Sequence, residues 1–354
     1  MAYGIDEFTQ TAIYKRFKEN PKIPKWIRDT PWSVVFGLTM WYALNCSYVM
    51  LNKVFLNAIP LQWTNSGAQL ILGAILCGIS WATGLRDVPR FTNKKKALMA
   101  FVPLGISNIL VHYGAVISMG LGPVSFTQII KASEPLFTSI LSIIFLREIL
   151  NIWTYLSLIP VVVGVSLASV KELEFTTAAF LFALASSIGG SVRFIIAKVA
   201  LKNKEEIGEN LTANNIYMVL TVVSGIMSVP IILGVESWKW ASIWNEHTAD
   251  MTGGDKAKYL LYALGSALSY YYYNDCSFYC LGQLNQVTHS MANAMKRVLV
   301  IVVSIIIFKN PINVLGSVGM VMAIVGAFLY SLAKQEVWKK WKKDGDHDGN
   351  DSKV

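Results

Sequence analysis

Lys296 and Arg297 stand side by side in the run MANAMKRVLVIVVSIIIF, residues 291–308, which is otherwise about as apolar as a lipid tail. A charge at the centre of a membrane helix costs roughly 3 kcal/mol on insertion scales, so two in one run need a partner or a task. A third cation, Lys131, lies in SFTQIIKASEP, and a fourth, Arg193, in IGGSVRFIIAKVA. Against them stand two acids, Asp275 and Glu134, the latter three residues after Lys131 and able to share its helix face. The balance is an excess of two positive charges, and that sign calls for an anion. Arginine offers planar bidentate donors and stays charged in any surroundings, while lysine offers a compact point charge; together they suit a phosphate dianion. The alternative is that the Lys296–Arg297 pair snorkels at a helix end, or neutralises Glu134 and Asp275. Eleven apolar or small residues separate the pair from Lys309 and a similar stretch precedes it, which argues against a helix end. His112, Thr127, Gln128, Tyr273, Asn274, Thr288, His289 and Asn293 complete the polar set. Lys198, near the end of its run, reads as a snorkelling residue.

Membrane helices must position these residues. The chain of 354 residues is 54% apolar and 15% charged, with a mean hydropathy of +0.45, outside the soluble globular range. Crossing a bilayer as a helix takes about 20 apolar residues. Such stretches predict ten spans, at 32–51, 59–83, 97–119, 122–146, 150–170, 175–200, 214–235, 258–282, 285–308 and 311–333. Lysine and arginine in short loops stay on the cytoplasmic side. With ten spans the basic N-terminal arm, 1–31, the loop carrying Arg86, Arg90, Lys94, Lys95 and Lys96, and the polar tail, 334–354, share one side, with both termini. The loops around Glu172, Glu174, Glu246, Asp250 and Asp255 take the other. The net charge of +9 then reflects topology rather than nucleic-acid binding. Cys46, Cys77, Cys276 and Cys280 lie within spans without zinc-type spacing, and no cofactor or metal is implied. The sequon at Asn210 falls on the basic side and reads as unused, and the start shows no signal or transit peptide.

Aligning SIIFLREILNIWTYLSLIPVVVGVSLAS (142–169) with SIIIFKNPINVLGSVGMVMAIVGAFLYS (304–331) matches Ser142 with Ser304, Arg147 with Lys309, Asn151 with Asn313, Gly164 with Gly326 and Ser169 with Ser331, at a constant offset of 162. The fourth and fifth spans thus look like relatives of the ninth and tenth. A repeat displaced by five spans enters the membrane upside down, the construction of many secondary transporters. The expected fold is an all-α integral membrane protein of ten transmembrane helices arranged as two inverted five-helix repeats, 32–170 and 175–333. The same register sets Lys131 against position 293, about one helical turn from Lys296, so the two lysines should approach each other near the repeat interface. Pro135 should kink the fourth span, and Gly189 and Gly190 permit close helix approach or a local break.

The stretches WYALNCSYVMLNK (41–53), His112 ahead of GPVSFTQIIKASEP (122–135), RFIIAK (193–198), YYNDCSF (272–278) and VTHSMANAMKRVLVIVVSIIIF (287–308) resemble the plastid phosphate translocators of the drug/metabolite transporter superfamily. The most specific element is the Lys-Arg pair combined with Lys131 in IKASEP, which related nucleotide-sugar carriers typically lack. The resemblance implies a carrier, not an enzyme, that exchanges inorganic phosphate for phosphorylated C3, C5 or C6 compounds. It implies that Lys131, Lys296 and Arg297 grip the phosphate with Tyr273, that His112, Arg193 and Gln128 face the variable end, and that Lys53, His289 and Asn274 are accessory. Plant members usually have His at the position of Gln128 and Gln at that of Asp275, and both departures bear on substrate choice. The expected function is an antiport of phosphate against triose phosphate or related C3 phosphates, 3-phosphoglycerate or phosphoenolpyruvate, by alternating access. The expected carrier works as a monomer in lipid, without nucleic acid, in a plastid-type organelle membrane, either an envelope or an outer membrane of a complex plastid. Rival readings are a sugar-phosphate or nucleotide-sugar carrier of the same fold, an anion channel, or an intramembrane enzyme acting on phospholipid headgroups. The enzyme would need a nucleophile or metal constellation, and the sequence offers no HExxH and no activated Ser or Cys with a base.

Overall fold

The computed structural model describes residues 32–147, 152–170, 176–202, 204–284, 286–309 and 314–348. The N-terminal arm, Glu172 and Glu174, the repeat's Asn151 and Asn313, and the side chains of Lys198, Thr288 and the tail lie outside the described residues.

In lipid a backbone N–H or C=O has no water to fall back on, so an apolar run must close its hydrogen bonds within itself. Helices do this. The chain runs through α1 (Trp32–Ala58), α2 (Gln62–Ala82) and α3 (Lys94–Leu121), then a fourth segment in pieces: α4 (Val124–Lys131), α5 (Glu134–Leu141) and a π-helical turn, Ser142–Leu146. There follow α6 (Ile152–Leu156), α7 (Leu158–Val170), α8 (Thr177–Lys202), the single turn α9 (Lys204–Ile207) and α10 (Ala213–Val235). The last are α11 (Trp240–Thr248), α12 (Gly253–Gln283), α13 (Gln286–Phe308) and α14 (Val314–Asp348). Among the described residues, eight helical segments are long and apolar enough to cross a membrane. The remaining two predicted spans are helical as well. One is divided between α6 and α7, and the other lies in the 31-residue α12, whose run SYYYYND dilutes its apolar character. Large apolar side chains such as Phe36, Ile79, Leu181, Ile226 and Ile306 are exposed while Asn52, Gln69, Ser187 and Asp275 are buried, the reverse of a water-soluble bundle.

The helices form two compact units, one from Met1–Ile106 and Asn203–Asn285, the other from Ser107–Lys202 and Gln286–Val354. Each draws on both halves of the sequence. In the first unit α1 packs along α12, and α2 along α10. A Cβ added to Gly225 would stand 2.9 Å from the Leu70 carbonyl oxygen, and one on Gly73 would stand 2.9 Å from the Thr221 methyl, so α2 and α10 meet almost backbone to backbone. Asn52 of α1 accepts from Asn65 (2.7 Å) and Gln69 (2.9 Å) of α2, and Gln69 also donates to Ser266 of α12 (2.9 Å), a buried amide network binding three helices.

Asp275 corrects the charge tally made from sequence. Both its carboxylate oxygens accept from Arg86, at 2.8 Å each, and Asn214 donates to it at 2.8 Å, so it is the partner of an arginine within the first unit. Arg86 lies in the loop after α2 and reads from sequence only as a topology charge. A two-residue ladder ties that loop to the one after α9, Arg90 opposite Glu209 and Phe91 opposite Gly208, and Gly208 has no room for a Cβ beside the Arg90 carbonyl.

In the second unit α7 packs along α14, and α13 against α4. Gly164 lies against the backbone of Gly319 and Ala323, and Gly326 against that of Pro160 and Val161. Arg147 ends the π-helical turn and Lys309 follows α13, both in the left-handed region, at φ 53° and 51°.

Because the Asp275 and Arg86 side chains are only 2% and 14% exposed, loss of one charge leaves the other stranded. Breaking a buried pair from one side costs about 3–5 kcal/mol. Asp275→Asn is therefore expected to lower the thermal unfolding temperature of the detergent-purified protein, and the neutral double variant Arg86→Gln/Asp275→Asn to recover most of the loss. Equal unfolding temperatures for the parent and Asp275→Asn would show the pair to be dispensable.

Candidate anion-binding site

The site begins with a missing hydrogen-bond donor. Residue 135 is proline, so the Lys131 carbonyl four residues earlier has no helical N–H to accept from, and α4 stops there. Ala132 and Ser133 form a turn, with Ser133 N donating to Ile130 O at 3.0 Å, and α5 starts at Glu134 with Pro135 in its first turn, where a missing N–H is harmless. The expected kink is thus a break. Hydroxyls gather around the break: Ser133 Oγ adds a second donor to Ile130 O (2.6 Å), Ser187 lies between Ala183 O of its own helix (3.1 Å) and Ile130 O (3.3 Å), and Ser191 is 3.0 Å from Glu134 O.

Arg297, reaching in from α13, completes the repair. Its Nη1 donates to the Lys131 carbonyl and its Nη2 to the Glu134 carboxylate. Half of the Lys-Arg pair therefore follows the alternative reading: Arg297 neutralises Glu134. A guanidinium carries five N–H donors, however, and three stay outside these two contacts. Glu134 is seated over Gly190, where a Cβ would stand 2.6 Å from its Oε1, so this glycine serves a close approach of α8 to α5.

Two of the other cations, Lys131 and Arg193, are held by neutral groups. Lys131 Nζ donates to Ser186 Oγ of α8 at 2.5 Å, and Ser186 in turn donates to the Val111 carbonyl of α3 at 2.6 Å. Arg193 Nη1 donates to Asn108 Oδ1 at 2.8 Å. Lys296 is within electrostatic reach of Arg297, Lys131, Glu134 and Arg193. With Asp275 spoken for, four cations gather around one carboxylate among the described residues, and the local excess rises from two positive charges to three. Chemically this is a set of ammonium and guanidinium donors matched to an oxyanion with several acceptor oxygens.

The structure therefore brings Lys131, Arg193, Lys296 and Arg297 together in the second unit. His112 belongs to the same unit, buried on α3 one turn after Asn108, and Gln128 is buried on α4 one turn before Lys131. His289 is half-buried on α13, two turns before Lys296. Tyr273, Asn274 and Lys53 belong to the first unit. The Tyr273 ring packs on Tyr48 and Tyr270 at centroid distances of 5.4 and 5.6 Å, Asn274 donates its amide to Tyr270 O at 2.9 Å, and Lys53 is half-buried next to the network residue Asn52. Sequence reasoning missed Asn108 and Ser186. A signal existed for each: Asn108 lies four residues before His112 and Ser186 seven before Arg193, spacings that share a helix face.

A family model described as the Triose-phosphate Transporter family matches residues 33–331. The chain is 34% identical over 296 residues to the glucose-6-phosphate/phosphate translocator 2, chloroplastic, of Arabidopsis thaliana, covering 83% of this chain and 74% of that one. It is 33% identical over 301 residues to the phosphoenolpyruvate/phosphate translocator 2, chloroplastic, of Arabidopsis thaliana, covering 85% and 76%. It is also 33% identical over 296 residues to the triose phosphate/phosphate translocator, non-green plastid, of Brassica oleracea var. botrytis, covering 84% and 71%.

If Pro135 creates the break, Pro135→Ala should repair it. The new N–H would bond the Lys131 carbonyl and displace Arg297 from it, adding a hydrogen bond worth about 1 kcal/mol net. Hydrogen–deuterium exchange of the peptide spanning 130–137 is expected to slow about fivefold relative to the parent, by that free energy; unchanged exchange would mean that something other than the proline holds the segment open.

Proposed function

Because the chain belongs to the Triose-phosphate Transporter family, we propose that it is an antiporter exchanging inorganic phosphate for a phosphorylated C3 metabolite such as triose phosphate, 3-phosphoglycerate or phosphoenolpyruvate. The observation that carries the reading is the cluster of Lys131, Arg193, Lys296 and Arg297 around a single carboxylate on membrane helices. Relatives named for glucose 6-phosphate, phosphoenolpyruvate and triose phosphate share the phosphate and differ in the rest of the substrate, so a cluster of cations suits the end that those substrates have in common. In this reading the two lysines and the remaining donors of Arg297 hold the phosphate. His112, Arg193 and Gln128 meet the variable end, and Lys53, His289 and Asn274 are accessory.

The carrier reading includes ten membrane helices in two inverted repeats, both termini on one side, working as a monomer in a plastid-type membrane. Two observations support the repeat. Gly164 packs on Ala323 and Gly326 on Val161, and an offset of 162 converts the first contact into the second, the reciprocity that a two-fold axis imposes. The same offset relates Arg147 and Lys309, which share a left-handed backbone. Alternating access then requires an occluded state from which water is expelled. For the empty carrier that step strips solvent from clustered cations, at several kcal/mol per ion, whereas a bound dianion offsets most of the excess. Transport is therefore obligatory exchange.

In liposomes loaded with phosphate, labelled phosphate uptake should be competed by the preferred C3 phosphates, and efflux into phosphate-free medium should fall at least about tenfold below exchange, given roughly tenfold in rate per 1.36 kcal/mol. Lys131→Ala and Lys296→Ala should each abolish exchange in folded protein. Equal efflux with and without external phosphate would point to a channel or uniporter, and competition by C5 or C6 phosphates alone would move the substrate away from C3.

A further inference from the structure

Ser186 is fully buried on α8, and its hydroxyl has one proton to give. That proton goes to the Val111 carbonyl of α3, at 2.6 Å. The oxygen can then only accept, and the donor it accepts from is the Lys131 ammonium, at 2.5 Å. The reach across is built into α3: a Cβ on Gly114 would stand 2.6 Å from the Phe182 carbonyl and 3.0 Å from the Ser186 Cβ, so the glycine lets α8 close on α3 at this level.

Glu134, three residues from Lys131, is the natural counter-ion of that ammonium, yet the carboxylate is held by Arg297. Building on the exchange reading above, we propose that Ser186 is the positioning residue of Lys131: it holds the ammonium by a neutral acceptor, withholds it from Glu134, and so keeps it available to the substrate phosphate. Arg297 keeps donors to spare after its bond to the acid, whereas an ammonium drawn onto the same carboxylate would give up the charge it offers an anion. An ammonium with no neutral post would turn to the carboxylate, because charged partners form the stronger hydrogen bond. It would then have to be pulled off Glu134 each time phosphate binds. The Ser186 hydroxyl, already polarised by the Val111 carbonyl, holds the ammonium in place and adds no charge that repels the incoming anion.

The test is phosphate–phosphate counter-exchange by the full-length chain in liposomes, with KM and maximal rate read separately. Ser186→Ala is expected to raise the KM for phosphate about tenfold, with the maximal rate per folded protein within about twofold of the parent, since a hydrogen bond to a charged group contributes on the order of 1.5–3 kcal/mol. Ser186→Cys keeps the packing but supplies a poor acceptor, so it should shift KM in the same direction and replaces the alanine variant if that fails to fold. A KM within twofold of the parent in whichever variant folds, whatever happens to the maximal rate, overturns the proposal and leaves Ser186 a packing residue. Absence of counter-exchange in the parent chain would instead overturn the functional reading itself.

Discussion

One carbonyl oxygen sets the geometry of the second unit. Lys131 C=O would be satisfied in an unbroken helix by the N–H of residue 135, and proline has none. In water the gap would be trivial. Inside a membrane an unsatisfied carbonyl costs several kcal/mol, so the segment either breaks and finds another donor or is not stable. The donor is Arg297, whose planar fork reaches the carbonyl and the Glu134 carboxylate together. The break, the position of Lys131 at a helix end and the acid beside it follow from that one missing hydrogen.

The small residues of α8 are a consequence. Ser187 and Ser191 lie against the carbonyls of Ile130 and Glu134 on either side of the break, Ser186 takes the ammonium, and Gly190 makes room for the carboxylate, so the sequence SSIGGS is as much a lining as a packing surface. A leucine at position 186 would suit lipid better and would leave the Lys131 ammonium without its hydroxyl, and one at position 190 would collide with the Glu134 carboxylate. Helix packing in the unit is close for the same reason that it is polar. Small side chains let backbones approach, and only at that range do hydroxyls reach across to a neighbouring helix.

Much of the candidate site is legible in the sequence because charge in an apolar run is conspicuous: Lys131, Arg193, Lys296 and Arg297 stand out on that ground, and in the structure they lie near one another. Hydropathy likewise placed the helices, since the bilayer fixes their length. What sequence did not carry is pairing at a distance. In the sequence Asp275 balances the cations; in the fold it belongs to an arginine 189 residues away in a loop. Asn108 and Ser186 were overlooked because neutral hydroxyls and amides are common in membrane helices, and only a contact singles one out. Contact also divides the chain by helix pairing, with each unit taking parts of both sequence halves.

The Lys-Arg pair, a puzzle when read as two equal charges, contains two different tools. Arg297 remains charged in any environment and presents donors in a rigid fork, so it can hold a carbonyl and a carboxylate at once and still have N–H groups left over. A lysine there could neutralise Glu134 but would not span both partners in that fixed geometry. Lys296 is a point charge on a flexible stem, suited to a ligand that arrives and departs, because it follows the anion without a fixed angle to satisfy. In the proposed carrier the arginine therefore belongs to the architecture first and to the phosphate second, and the lysines of the cluster the other way round. Exchanging the two residues would keep the net charge and the hydropathy of α13 and would leave the Lys131 carbonyl without its donor, so the order of the pair carries information that neither charge nor composition holds.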